Sequence, residues 1–189
     1  MQTRASVTIK NLDFSFENSL ARITANRNFP EVKLAGLTVG PFEEGNEYET
    51  YYWIARDLEK SGIVHFREEQ LLDTAKLYKI QWKERALTGG QISNVPDDFY
   101  PRLRRYLTQL KEEAAKNPEK MLDYERVRRL TQDIVNSRLK KVVSLASAPT
   151  QTEQTLKNVS GEERFLYEQL CRLVHEWRNQ ILEFEEKEK

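Results

Sequence analysis

Two periods of hydrophobic recurrence divide the sequence. Up to residue 66 the apolar positions come in short β-branched runs, Val7-Thr8-Ile9, Arg22-Ile23-Thr24, Val32-Lys33-Leu34 and Leu37-Thr38-Val39. Asn26, Asn28, Pro30 and Gly36 punctuate them, a pattern that predicts small strands. Gly40-Pro41 closes the last run, because proline has no amide hydrogen to give a ladder. Tyr51, Ile54, Ala55 and Leu58 then recur at i, i+3, i+4 and i+7 ahead of Gly62, which predicts a short amphipathic helix with a left-handed cap. Ile63-Val64-His65-Phe66 reads as a closing strand.

From Glu68 the period lengthens to about 3.6. Leu71, Ala75, Tyr78 and Trp82 mark one face of a helix that should stop at Thr88-Gly89-Gly90. A second helix follows Val95, with Pro96, Asp97 and Asp98 suited to its first turn and Phe99, Leu103, Tyr106, Leu107 and Leu110 as its stripe. Asn117-Pro118 restarts the pattern as cap and first residue of a third helix, running to about Ser147 along Val127, Leu130, Ile134, Leu139, Val142 and Leu145. At 1.5 Å per residue it spans roughly 40 Å, longer than one small core needs, so part of its stripe is expected to face another subunit. Ala148-Pro149 ends it, and residues 150–158 read as a polar loop. Ser160-Gly161-Glu162-Glu163 spells a capping box for the last helix, carried by Leu166, Leu170, Leu173, Trp177, Ile181 and Phe184, and residues 185–189 read as a fraying charged tail. The fold class expected is α+β: a small β-rich domain over residues 1–66, then a mainly helical bundle domain over residues 67–189.

Composition narrows the function. The 189 residues include 30 basic and 30 acidic side chains, a balance that disfavours a strongly basic nucleic-acid module. No apolar run reaches the ~18 residues of a membrane-spanning helix, and the first ten residues lack a signal-peptide core, so an intracellular protein is expected. One cysteine and two histidines make no metal set of the usual spacing, and the acids Glu43, Glu44, Glu47 and Glu49 match no calcium loop and read as a solvated acidic connection; no metal and no cofactor are expected. There is no phosphate-binding glycine loop and no nucleophile elbow.

Two chemical alternatives remain open at this level. Cys171 and His175 sit one helical turn apart, the spacing a thiol nucleophile and its base would need, although a flank thiol beside an exposed histidine explains them without chemistry. Arg102, Arg104 and Arg105, with Arg126, Arg128, Arg129, Arg138, Lys140 and Lys141, are basic positions a nucleic-acid-binding adaptor would use. Interleaved acids favour solvated faces and interhelical salt bridges.

The strings Leu37-Thr38-Val39-Gly40-Pro41-Phe42 and Tyr52-Trp53-Ile54-Ala55 with Leu58 resemble the small domain of GINS subunits, components of a DNA replication complex. Val95-Pro96-Asp97-Asp98-Phe99-Tyr100 is similar to the Pro-x-x-Phe/Tyr opening of that family's helical domain, and Arg138-Leu139-Lys140-Lys141-Val142-Val143 with Ala146 to its Arg-x-x-Lys-Ile helix. Ser160-Gly161-Glu162-Glu163-Arg164 through Tyr167, and Glu176-Trp177, look like the end of that domain in archaeal members. A β domain ahead of the helical one resembles the two/three type of subunit, and an archaeal one.

The resemblance implies a non-catalytic scaffold, cytoplasmic and nucleoid-associated, that assembles with a five/one type subunit into a tetramer. That tetramer would link the MCM helicase to a RecJ-like or Cdc-type protein, with DNA an indirect neighbour and no membrane involved. The contact residues expected are Phe99, Tyr100, Leu103, Ile134, Leu139 and Trp177 on the helices, with Gly40, Pro41, Phe42 and Trp53 on the β part.

Overall fold

The computed structural model describes residues 4–34, 36–87, 91–148 and 156–182. Two compact units make up the chain, one of Lys10–Leu72 and one of Met1–Ile9 with Asp73–Lys189. The expected break at Thr88-Gly89-Gly90, most of the 150–158 loop and the 185–189 tail lie outside the described residues.

In the first unit, β1 (Leu20–Ala25) is the middle strand of a three-stranded antiparallel sheet. It pairs with β4 (Glu47–Tyr51), Ile23 opposite Tyr48, and with β5 (Val64–Phe66), Thr24 opposite His65. Alternation along β1 turns Ala21, Ile23 and Ala25 inward, where α2 (Tyr52–Lys60) covers them with Ile54, Ala55 and Leu58. β2 (Val32–Leu34) and β3 (Leu37–Val39) form a separate two-stranded ladder, Lys33 opposite Thr38. Gly62 ends α2 with φ +67°, the left-handed cap its sequence position predicts.

Gly40 has φ +93°, and a Cβ placed there would lie 3.1 Å from the Phe42 ring. Glycine is therefore required twice over, by backbone conformation and by space. The Gly40-Pro41 peptide is cis, and Phe42, only 2% exposed, is fixed in the core by mutual backbone hydrogen bonds with Phe29.

Two sequence expectations in this region are corrected. Val7-Thr8-Ile9 is helix, within α1 (Arg4–Glu17); β-branched preference costs only tenths of a kcal/mol per residue and is outweighed over a 14-residue helix. The acidic stretch read as a solvated connection contains β4, whose Thr50 is buried while Glu47 and Glu49 face out to Arg67 and Arg22.

The helical unit is built from α3 (Thr74–Ala86), α4 (Phe99–Lys116), α5 (Met121–Ser147) and α6 (Gly161–Leu182). α5 is 27 residues long and buries Val127, Leu130, Ile134 and Val142; it packs against α4, whose Phe99 and Leu103 are buried, and Val142 shares a core cluster with Tyr167 of α6. The expected face of α3 is reversed. Leu77 and Glu84 are its buried residues, while Tyr78 and Trp82 are 47% and 71% exposed. An acid at a core position breaks the apolar pattern, and its burial has a specific cause.

Candidate functional site

Arg138 is 0% exposed, and its guanidinium is the centre of the helical unit. Its Nε and Nη2 donate to Glu163 Oε1 and Oε2 at 2.6 and 2.7 Å, a bidentate pair. Nη1 donates to Glu84 Oε1 and, at 2.9 Å, to the Ser93 carbonyl, while Nη2 also reaches the Asn158 carbonyl at 3.1 Å. One turn further along α5, Lys141 Nζ donates to Glu84 Oε2 at 2.6 Å and to the Glu84 carbonyl at 2.7 Å. The i, i+3 spacing of Arg138 and Lys141 thus brings both cations to one carboxylate.

The surrounding segments complete the network. The Ser93 amide donates to Glu84 Oε1 at 3.1 Å. Tyr100 donates its phenolic hydrogen to Glu163 Oε1 at 2.6 Å, and the Ser160 amide donates to Glu163 Oε2 at 3.0 Å. Glu163 is therefore the carboxylate of the capping box the sequence shows and also the counter-ion of Arg138. Two carboxylates balance two cations, so the centre is buried without net charge.

Burial alone would raise the Glu163 carboxyl, but the hydrogen bonds and charge of Arg138, with Tyr100 and the Ser160 amide, hold it below the usual carboxylate range. Glu84 follows the same pattern: desolvation pulls it up, and Lys141, Ser93 and Arg138 bring it down. Burial, then the Glu163 charge, pushes the Tyr100 phenol up, so it remains a donor. The Arg138 guanidinium stays charged, since Glu163 and Glu84 outweigh its desolvation. Each carboxylate oxygen here meets a fixed donor, and the arrangement ties the helices to one another.

The ten residues expected at contacts differ in exposure. Phe42, Phe99, Leu103 and Ile134, at 0–3% exposure, pack inside their own units. Leu139 and Trp177 lie at the surface, at 43% and 61%. Tyr100 and Trp53 are half-buried, Gly40 is half-buried and Pro41 exposed. A groove of about 270 Å³ opens beside α4, α5 and α6, lined by Tyr100, Arg104, Val135, Leu139 and Leu166 among others.

α6 is the least covered helix of the unit. Its buried residues are Glu163 and Tyr167, both in the first two turns, yet Leu173, Trp177, Ile181 and Leu182 farther along are 58–74% exposed. Val143 of α5 adds another apolar side chain at 42%.

The Cys171 thiol points to the Ala146 carbonyl at 3.9 Å, and His175 Nε2 lies 3.1 Å from Asn179 Nδ2. Among the described residues no group of three or more His, Cys, Asp or Glu is arranged to hold a metal, and no helix is long and apolar enough to cross a membrane. Many of the basic positions are engaged: Arg102 with Asp98, Arg104 with Glu162 at 3.0 Å, Arg126 with Asp123 and Arg128 with Glu125. Sequence reasoning missed Glu84. The available signal was its place seven residues after Leu77, on the same face of α3.

The family described as the GINS complex protein helical bundle domain (Sld5) matches residues 71–182. No curated protein matches the chain significantly. The matched span takes in α3 through α6 together with the Arg138 network and covers more than half of the 189 residues. The chain belongs to the GINS family and is a GINS complex subunit of DNA replication.

Proposed function

We propose that the chain is a non-catalytic scaffold subunit of the two/three type, and an archaeal one, that forms a tetramer with a five/one type GINS subunit. The observation that carries the assembly reading is the uncovered apolar length of α6. Leu173, Trp177 and Ile181 recur every four residues, all exposed, on a helix with no fully buried residue after Tyr167. Large apolar side chains aligned on one helix face are the mark of a protein contact.

In this reading Leu139 and Trp177 touch the partner and Tyr100 borders the contact. Phe99, Leu103 and Ile134 shape the surface from inside, and Arg138, Glu84 and Glu163 hold the helices in register. The Gly40-Pro41 turn and Trp53 give the small β unit a docking surface of its own, with Phe42 as its internal prop. The order of the two parts, β before helical, supports the two/three assignment. The tetramer then joins the MCM helicase to a RecJ-like or Cdc-type partner in a cytoplasmic, nucleoid-associated replisome.

The test is co-purification of a tagged five/one type subunit with this chain and with a Leu173→Asp/Trp177→Asp variant. Both positions are exposed, so the variant should fold as the parent does and lose its partner. Retention of the partner by the folded variant contradicts the assignment of α6.

A further inference from the structure

The outer face of α3 is chemically unlike the rest of the helical unit. Its inner face is accounted for: Thr74 Oγ1 lies 2.9 Å from Tyr106 Oη on α4, Leu77 is in the core, Gln81 and Arg85 reach Asp133 of α5 at 3.1 and 3.4 Å, and Glu84 joins the Arg138 network. The remaining stripe is Ala75, Tyr78, Lys79, Trp82 and Lys83, all exposed. Tyr78 and Trp82 stand one turn apart, about 5–6 Å between their Cβ atoms, and each is followed directly by a lysine. The single acid of α3 is Glu84, at 2% exposure and already paired with Arg138 and Lys141, so nothing acidic on the helix offsets the exposed lysines. α4, α5 and α6 all interleave exposed acids with their bases.

We infer that this face binds single-stranded DNA, a base stacking on each of Tyr78 and Trp82 while Lys79 and Lys83 meet the phosphates. Stacking needs only an exposed ring and tolerates any base, and lysine is a suitable partner for a flexible backbone. A protein contact fits less well, because lysine is depleted where aromatic residues form the centre of such interfaces. The family's place in replication selects DNA as the strand. The inference does not rest on the α6 contact, which occupies a different helix.

The experiment is fluorescence anisotropy of a labelled oligothymidylate of about 20 nucleotides with the full chain, at salt from about 50 to 200 mM. Binding should weaken with salt, and Tyr78→Ala/Trp82→Ala should reduce affinity about thirtyfold or more with an unchanged melting curve. Lys79→Gln/Lys83→Gln should make the logarithmic salt slope shallower by about 1.4. Absence of binding at the lowest salt overturns the inference, as does equal binding by the Tyr78/Trp82 variant or tighter binding of an oligouridylate. Loss of the five/one type partner by that variant, with no DNA binding by the parent, makes the face a protein contact and leaves the α6 reading standing.

Discussion

One guanidinium, Arg138, ties together Glu84 of α3, the 93 and 158 carbonyls and Glu163 of α6, and its worth depends on all of them being present. Replacing Arg138 with Met leaves two buried carboxylates without their principal partner, a loss of about 3 to 5 kcal/mol. Urea unfolding followed by far-ultraviolet circular dichroism should show it, and Arg138→Met and Lys141→Met combined with Glu84→Gln and Glu163→Gln should recover much of the loss, since with both cations and both carboxylates removed the centre carries no desolvated charge. The same network sets an acid limit. Glu84 and Glu163 titrate lower in the folded protein than in the unfolded chain, so their contribution is complete at neutral pH. It fades as pH falls below about 5, and protonation through the folded values removes it; the Glu84→Gln/Glu163→Gln variant should show a flatter acid limb in a stability profile against pH. In the β unit, Gly40→Ala should cost more than Gly36→Ala in thermal unfolding. Both have positive φ, worth about 1 to 2 kcal/mol, but a Cβ at Gly36 meets nothing within 4 Å whereas one at Gly40 meets the Phe42 ring at 3.1 Å.

Helices α3 and α6 show what hydrophobic periodicity reveals and what it hides. The period located both helices and the α6 capping box, which Ser160 and Glu163 form through reciprocal backbone contacts. It assigned the faces by apolarity, and for α3 that put Tyr78 and Trp82 inside when Leu77 and the acid Glu84 are there. A buried ion pair is invisible to a pattern that scores charge as outside, because its partners, Arg138 and Lys141, lie more than fifty residues away in sequence. The string Arg138-x-x-Lys141 was legible as a resemblance, without the reason for its spacing. β4 was hidden for a related reason: Glu47, Glu49 and Tyr51 face out and the inward positions are only Tyr48 and Thr50. The exposed stripe of α6 carries its own prediction. Leu173→Asp/Trp177→Asp should leave the melting temperature within a degree or two, as exposed substitutions do, whereas Ile134→Ala, fully buried, should cost about 2 to 5 kcal/mol.

At the scale of the whole molecule the chain joins two units of different character, a small sheet covered by α2 and a helical unit built on a neutralised ionic centre. Balanced charge, 30 basic against 30 acidic residues, fits a protein that works by specific contact more than by a broad electrostatic field. The helical unit supplies the rigid part: four helices locked at Arg138, a groove beside Leu139, and the uncovered length of α6. An apolar stripe left uncovered on α6 is what a subunit offers to an assembly, and membership of the GINS family gives that assembly its identity. The most direct test is light scattering in line with size-exclusion chromatography, on this chain alone and after co-expression with a five/one type GINS subunit. The account predicts a single species at twice the summed masses of the two chains, stable through the column and lost in Leu173→Asp/Trp177→Asp. A folded chain that elutes at its own mass in the presence of that subunit would contradict it.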